Sequence, residues 1–151
     1  MNIRNYTSGV PVERSVSLIE HELVRAGAQH ISKTYDPEGL LEGITFQIVT
    51  NGIPLIFRLP AKWKACHEMM QKDIRRPRKE TAERVKDQAL RTAWKILYDW
   101  VSVQVSLIKL EQAEIAEVFL PYVYDMRKQQ TLFERMKENG FRQLGPAKEE
   151  K

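Results

Sequence analysis

The dipeptide Asn51-Gly52 constrains the fold of this chain more than any other feature. Apolar residues occupy every second position of 44–48 before it and of 55–59 after it. Both central positions of a tight type I′ turn need a positive φ, which Asn and Gly tolerate best. The pattern therefore predicts an antiparallel hairpin. Pro54 cannot donate a ladder hydrogen bond, so we expect it at a sheet edge or at the start of the second strand.

Shorter patterns on either side of the hairpin predict the rest of a small sheet. Residues 11–26 carry apolar side chains at a helical spacing and are followed by Gly27, a typical helix terminator. Residues 29–35 are typical of a strand, and residues 3–7 of a short one. The predicted order is strand, helix, strand and hairpin, which gives a small antiparallel sheet backed by helix 11–26.

The second half of the chain is predicted to be helical. Residues 61–73 have a helical spacing, and residues 79–110 contain neither Gly nor Pro. Within the long segment, residues 101–107 alternate Val or Leu with Ser or Gln, which by itself is typical of a strand. The helix is preferred there because nothing interrupts the helix that precedes it.

Two further helices complete the predicted α+β fold. One spans about 112–124 and is kinked or ended by Pro121, and the other spans 131–138. We predict a single domain over residues 1–144, followed by a disordered tail over residues 145–151. The domain is divided into a sheet-rich part, 1–60, and a helical part, 61–144.

Length and cysteine content limit the class of protein. A chain of 151 residues with 42% hydrophobic residues is long enough for one packed core and too short for most two-domain enzymes. A single cysteine excludes an internal disulfide and favours a reducing compartment. The sequence shows neither a secretory signal nor an apolar run long enough to cross a bilayer. We therefore expect a cytoplasmic protein with no membrane partner.

Positive charge is concentrated in the middle of the chain. Residues 58–95 hold 12 basic and 5 acidic residues, whereas the segments on both sides are weakly acidic. Such a block attracts a phosphate polymer, and Trp63 could stack on an unpaired base. The alternative for residues 79–95 is a solvated helix face with internal ion pairs. The predicted nucleic-acid-binding residues are Arg58, Lys62, Trp63, Lys64, Arg75, Arg76, Arg78 and Lys79, centred on the last four.

Catalytic arrangements are absent from the sequence. There is no Gly-rich phosphate loop and no metalloprotease helix motif. Cys66 and His67 are adjacent, and neighbours on a helix point about 100° apart, so they do not form a nucleophile–base pair. Three histidines in total make a structural zinc site improbable. We therefore predict a protein that is not an enzyme and that has no metal and no cofactor.

Aromatic residues are frequent in the helical part. They serve either the core or a protein–protein surface, because Trp and Tyr favour interfaces. A homo-oligomer is a further hypothesis, because the helical part carries apolar residues on more than one face. The residues considered for a protein interface are Trp94, Tyr98, Trp100 and Tyr122.

Several segments resemble a group of small uncharacterised proteins from bacteriophages and mobile elements. The resemblance is carried by segments 94–101 (WKILYDWV), 114–122 (EIAEVFLPY), 131–134 (TLFE), 6–11 (YTSGVP) and 58–60 (RLP). It implies an accessory protein of the host cytoplasm, acting in phage DNA metabolism or against a host defence. It assigns no chemistry to any residue.

Three functions are consistent with these patterns. The leading hypothesis is a non-enzymatic accessory protein that binds DNA or RNA through the basic segment. The alternative is a protein-binding inhibitor or assembly component that uses the aromatic helical part, with a host or phage protein as its partner. A pocket for a small phosphorylated ligand is the third.

Overall fold

The computed structural model describes residues 3–74 and 78–147. Its elements confirm the predicted α+β class, with a sheet-rich first part and a mainly helical second part. In chain order they are α1 (Val12–Arg25), β1 (Gln29–Tyr35), β2 (Leu41–Thr50), β3 (Ile53–Pro60), α2 (Trp63–Lys72), α3 (Lys79–Lys109), α4 (Ile115–Phe119), a 3₁₀ turn (Leu120–Tyr122), β4 (Tyr124–Asp125), β5 (Gln130–Thr131), α5 (Leu132–Glu138) and a second 3₁₀ turn (Arg142–Leu144).

The sheet is antiparallel with the strand order β1-β2-β3. Asn51 and Gly52 have φ values of 50° and 79°, as the two-residue hairpin requires. Both turn residues are flanked by a regular ladder in which Phe46 pairs with Phe57. Pro54 lies near the start of β3, an edge strand of this sheet. The predicted hairpin and the position of the proline are both confirmed.

One face of the sheet is buried against helices. The rings of Phe46 and Phe57 stack with centroids 5.3 Å apart, and Phe119 packs edge-on against both. Helices α1 and α3 contribute further buried side chains to the same core. The two predicted parts of the chain thus share one core, whose largest fully buried side chains are Trp94, Phe46, Phe57, Phe119, Ile19, Leu23, Ile44, Leu59, Val101 and Val105.

Helix α3 continues without interruption through the segment that resembled a strand. Val101 and Val105, four residues apart, are buried, whereas Val103 is exposed. Ser106 Oγ donates a hydrogen bond of 2.9 Å to the Ser102 carbonyl, one turn earlier. A helix therefore accommodates the alternating pattern, because only the valines four residues apart, Val101 and Val105, need to reach the core.

The predicted strand at residues 3–7 is wrong, because this segment forms successive turns. Asn5 has a φ of 61°, and Ser8 N donates to Asn5 O over 2.9 Å. The backbone of the segment is bonded to α3 instead of to a strand. Gln88 Nε2 donates to the carbonyls of Tyr6 and Ser8, and Thr92 Oγ1 donates to Asn5 O.

The predicted helix over 112–124 is also wrong in its extent. Helix α4 is only five residues long, and it starts at a capping box between Glu114 and Glu117. Pro121 lies in the 3₁₀ turn that follows, and the chain then enters the two-stranded ribbon of β4 and β5, which the sequence patterns did not reveal. Helix α5 was predicted correctly except that Thr131 is its N-cap.

The other helix and strand boundaries in the structure lie within a few residues of the predicted ones. Helix α1 begins after Pro11, which is its N-cap, and α2 covers most of the predicted 61–73. In the predicted tail, residues 145–147 are irregular and exposed, and residues 148–151 lie outside the described residues. None of the helices in the described ranges has a stretch that is both long and apolar enough to span a bilayer.

Candidate nucleic-acid interface

A cleft of about 790 Å³ opens where the end of β3, the start of α2 and the C-terminal ribbon meet. Its walls combine positive charge with aromatic rings. Arg58, Lys62 and Lys137 supply the cations. The rings and remaining lining residues are Tyr122, Tyr124, Phe133, Pro60, Pro121, Gln129, Thr131 and Glu134. We call this site the basic cleft.

Arg58 is held in place by three contacts. Its Nη2 donates to Glu42 Oε1 over 3.3 Å, and its Nη1 donates to the Tyr124 hydroxyl over 3.3 Å. The guanidinium carbon also lies 5.4 Å from the centroid of the Tyr124 ring, within the range of a cation–π contact. A guanidinium has more N–H donors than these contacts use. Arg58 is therefore oriented and still able to bind an anion.

Gly43 provides the space that the Arg58 side chain occupies. A Cβ at this position would lie 3.2 Å from the Leu59 carbonyl oxygen and 3.4 Å from Arg58 Nε. Leu59 O belongs to the backbone of β3, so it cannot move away as a flexible side chain would. Any larger residue at position 43 would therefore disturb both the ladder and the arginine.

The C-terminal ribbon reaches the cleft through contacts with β3. Val123 forms a bridge with Phe57, and Leu132 N donates a 2.7 Å hydrogen bond to Val123 O. The ribbon leads directly into α5, where Phe133 and Lys137 are four residues apart and so share one helix face. Residues far apart in sequence thereby become neighbours of Arg58.

Among the described residues, Glu134 is the carboxylate that lines the basic cleft, and its Oε1 is engaged in the cap of α5. Glu134 Oε1 accepts hydrogen bonds from Thr131 N over 3.2 Å and from Thr131 Oγ1 over 3.1 Å. The Thr131 hydroxyl in turn accepts from Glu134 N, which completes a capping box. The three lining cations outnumber Glu134 and the Glu42 carboxylate that pairs with Arg58, so the cleft favours an anionic ligand.

A second, mainly apolar depression of about 510 Å³ lies between α2 and α3. We call it the interhelical groove. It shares Pro60, Lys62 and Tyr122 with the basic cleft, so the two are adjacent. Cys66 lines the groove and is half-buried, and burial raises the pKa of its thiol. The other lining residues are Ile3, Ala61, Ala65, Met69, Ala93, Ile96, Leu97 and Trp100.

The predicted basic residues do not form one centre. Arg58 and Lys62 line the cleft at the beginning of α2, whereas Arg78 and Lys79 are exposed at the beginning of α3. Helix α2 is 10 residues long and separates the two groups by about 15 Å. Lys64 is exposed in the first turn of α2. Arg75 and Arg76, which were predicted as part of the centre, lie outside the described residues.

Trp63 does not offer a face for stacking, so this part of the prediction is wrong. It is 7% exposed, with Lys86 Nζ 5.7 Å from its ring centroid and the His67 ring 5.8 Å away. Trp63 lies in the first turn of α2, the helix that packs against α3. Its side chain is buried, whereas Lys62 and Lys64, its neighbours in sequence, are exposed. An indole covered in this way cannot receive a base.

Trp94 was considered for a protein interface, and this too is wrong. It is fully buried and belongs to the core between α1, α3 and the sheet. The other three residues of that set are half-buried. Tyr98 lies beneath Lys95, whose Nζ is 4.8 Å from its ring, and Trp100 packs edge-on against Tyr122 at 5.6 Å. Trp100 and Tyr122 line the interhelical groove.

Sequence patterns missed the part of the basic cleft that comes from the C-terminal ribbon. Tyr124, Phe133 and Lys137 follow Arg58 by more than sixty positions. The one local signal was the Thr131-x-x-Glu134 pattern, which indicates where α5 begins. Nothing in the sequence indicates that β4 approaches β3.

Comparison with known proteins adds no assignment to this geometry. No protein-family model, curated protein or solved structure was found to match the chain.

Proposed function

We propose that this protein binds nucleic acid, with the phosphates of the strand lying in the basic cleft. The observation that supports the proposal is the convergence of Arg58, Lys62 and Lys137 on one cleft, whose wall also carries the aromatic rings of Tyr122, Tyr124 and Phe133. In the phage or mobile-element setting that the sequence resemblance implies, the ligand is DNA or RNA handled by an accessory protein.

The three cations suit phosphate in different ways. Arg58 is pre-oriented by Glu42 and Tyr124, so little side-chain entropy is lost when its free N–H groups bind phosphate oxygens. Lys62 and Lys137 are exposed and act as mobile point charges. Release of counterions from the strand supplies most of the affinity, which makes binding depend steeply on salt.

Further exposed cations lie along α2 and at the start of α3, together with the exposed acids Glu68, Asp73 and Glu80. Lys62, Lys64 and Lys72 are exposed on or beside α2, and Arg78 and Lys79 are exposed beyond its end. The two ends of the ten-residue helix α2 are about 15 Å apart, and a polymer can contact cations at both ends at once. A polymer is therefore a better ligand than a mononucleotide.

The test is a titration of fluorescent single- and double-stranded oligonucleotides at several salt concentrations. The double variant Lys62→Ala/Lys137→Ala removes two of the three cleft cations. For single strands it should reduce the slope of log K against log salt by about 1.4, since each lost phosphate contact contributes about 0.7. The matched control is Arg14→Ala/Arg25→Ala, which removes two exposed cations from α1 and should leave the slope unchanged.

Two outcomes would contradict the proposal. One is the absence of binding to every oligonucleotide at low salt. The other is an equal loss of affinity in both double variants, which would mean that only the net charge of the protein attracts the strand and that the basic cleft has no special role.

A protein partner is the second candidate, favoured by an exposed apolar cluster at the end of the chain. Phe133 and Phe141 are 44% and 40% exposed, with ring centroids 5.8 Å apart, and Leu144 is 66% exposed. Exposed apolar patches mark interaction surfaces. An inhibitor or assembly component that binds through this cluster would retain its binding at high salt and in the Lys62→Ala/Lys137→Ala variant.

A further inference from the structure

We infer that the interhelical groove receives an unpaired base of the strand whose phosphates lie in the basic cleft, and that the protein therefore selects single strands over duplexes. The inference rests on the proposed function, because it concerns the same ligand. It gives a role to the mainly apolar groove, which phosphate binding by the cations does not involve.

The lining of the groove suits the face of a base. Met69, Leu97 and Trp100 contribute apolar and aromatic surface, and the volume of about 510 Å³ lies within the range of small-ligand sites. Met69 is 48% exposed, so its flexible thioether can adapt to the ring that enters. Every base has a π-face, so such a site tolerates any sequence.

The position of the groove beside the basic cleft indicates the occupant. Lys62 and Tyr122 line both depressions, so a ligand that bridges them is anionic at one end and apolar at the other. Lys62 has an apolar stem and a charged end, which suits a residue that lines both depressions. A nucleotide has this chemistry, with the phosphate on one side of the sugar and the base on the other.

A duplex cannot use the groove. Its bases are paired and stacked inside the double helix, so it offers only phosphates to the protein unless a base is extruded at a cost of a few kcal/mol. A single strand offers phosphates and free bases together. The two ligands should therefore differ in affinity even when their charges are matched.

Cys66 allows the groove to be observed directly. It is the single cysteine in the chain and it lines the groove, so a thiol-alkylating reagent reports on this place alone. Because burial raises the pKa of the thiol, the rate is measured at mildly alkaline pH, where more thiolate is present. A single-stranded oligonucleotide should slow alkylation of the wild-type protein severalfold.

Two control ligands separate bases from phosphates. An abasic oligonucleotide of the same length keeps the phosphates and lacks the bases, and a duplex keeps its bases paired. Both should bind with the salt dependence of the basic cleft and should leave the alkylation rate of Cys66 unchanged. We expect the abasic strand to bind about tenfold more weakly than the ordinary one, as the loss of one stacked base implies.

A variant that fills the groove provides a second measurement. Ala65 is exposed on α2 and lines the groove, so Ala65→Leu adds side-chain volume at its wall with little risk to the core. It should lower the affinity for single strands to that for the abasic strand and leave duplex binding unchanged. Ala82→Leu, at an exposed position of α3 that does not line the groove, is the matched control.

The outcomes distinguish this inference from the proposed function. If ordinary and abasic strands bind equally and neither protects Cys66, the groove is not a base site, whereas phosphate binding in the cleft stands. If no oligonucleotide binds at low salt, both fail. If Cys66 is protected to the same degree by duplex and by single strand, selection of single strands is wrong. The wild-type alkylation experiment decides even if Ala65→Leu does not fold.

Discussion

Asp99 connects the N-terminal turns to the middle of α3. Its carboxylate accepts hydrogen bonds from Lys95 Nζ at 2.8 Å, Asn5 Nδ2 at 2.8 Å and Arg4 Nε at 3.0 Å. Burial raises the pKa of Asp99, but the hydrogen bonds from Lys95, Asn5 and Arg4 outweigh it and lower the pKa to about 2. The ionised carboxylate thus keeps a segment without regular structure against the helix.

Asp99→Asn should lower the free energy of unfolding by about 1–2 kcal/mol at neutral pH, after allowance for the exposed Arg4. Because the pKa is lowered in the folded state, the stabilisation is complete above the unfolded pKa near 4 and is lost as the pH falls toward 2. Urea unfolding of both proteins at a series of pH values measures this. If the difference in the free energy of unfolding between the wild type and Asp99→Asn stayed constant down to pH 2, the ionic explanation would be contradicted. Asp87→Asn, an exposed acid of the same helix, should have little effect.

Helix α5 depends on its N-cap because it is only seven residues long. Short helices are marginal without tertiary contacts or caps, and Thr131 supplies a cap through reciprocal hydrogen bonds with Glu134. Phe133 and Lys137 reach the basic cleft from this helix. The local stability of α5 therefore determines whether one wall of the cleft is formed.

Thr131→Ala should lower the free energy of unfolding by about 1 kcal/mol. It should also increase hydrogen exchange at the amides of α5 more than at those of α3. Thr131→Ser retains the hydroxyl and should restore protection, which distinguishes the cap from the methyl group of the threonine. Uniform loss of protection throughout the protein would show instead that the buried Thr131 acts mainly through packing.

At the scale of the whole molecule, the sheet-rich and helical parts share one core. Phe46 and Phe57 of the hairpin pack against Phe119, and α3 contributes Trp94 and Val101 to the same cluster. Neither part can bury these side chains without the other.

Calorimetry should therefore show one unfolding transition, with equal calorimetric and van't Hoff enthalpies. A fragment of residues 1–60 should show no cooperative transition, because it lacks Trp94, Val101 and Phe119. Two resolved transitions in the full chain, or a folded fragment, would contradict a shared core. Circular dichroism of the fragment over the same temperature range provides the second measurement.

The accuracy of the sequence predictions follows the range of the interactions involved. The hairpin at Asn51-Gly52 was predicted well because the turn preferences of Asn-Gly and alternating side chains determine it. Helix α1 was predicted well because its apolar residues follow the helical period. The strand predicted at residues 3–7 and the helix predicted over 112–124 were wrong. In both segments, contacts with residues distant in sequence outweigh weak local preferences.

The sequence by itself determined the α+β class, the hairpin at Asn51-Gly52, the long helix α3 and the concentration of positive charge over residues 58–95. Only the tertiary structure decided which of those charges meet. It separated Arg58 and Lys62 from Arg78 and Lys79, buried Trp63 and Trp94, and brought Lys137 to the basic cleft. The physical reason is that periodicity reports which face of an element is apolar. Which elements then pack together depends on the packing of the core and on the bridge between Val123 and Phe57.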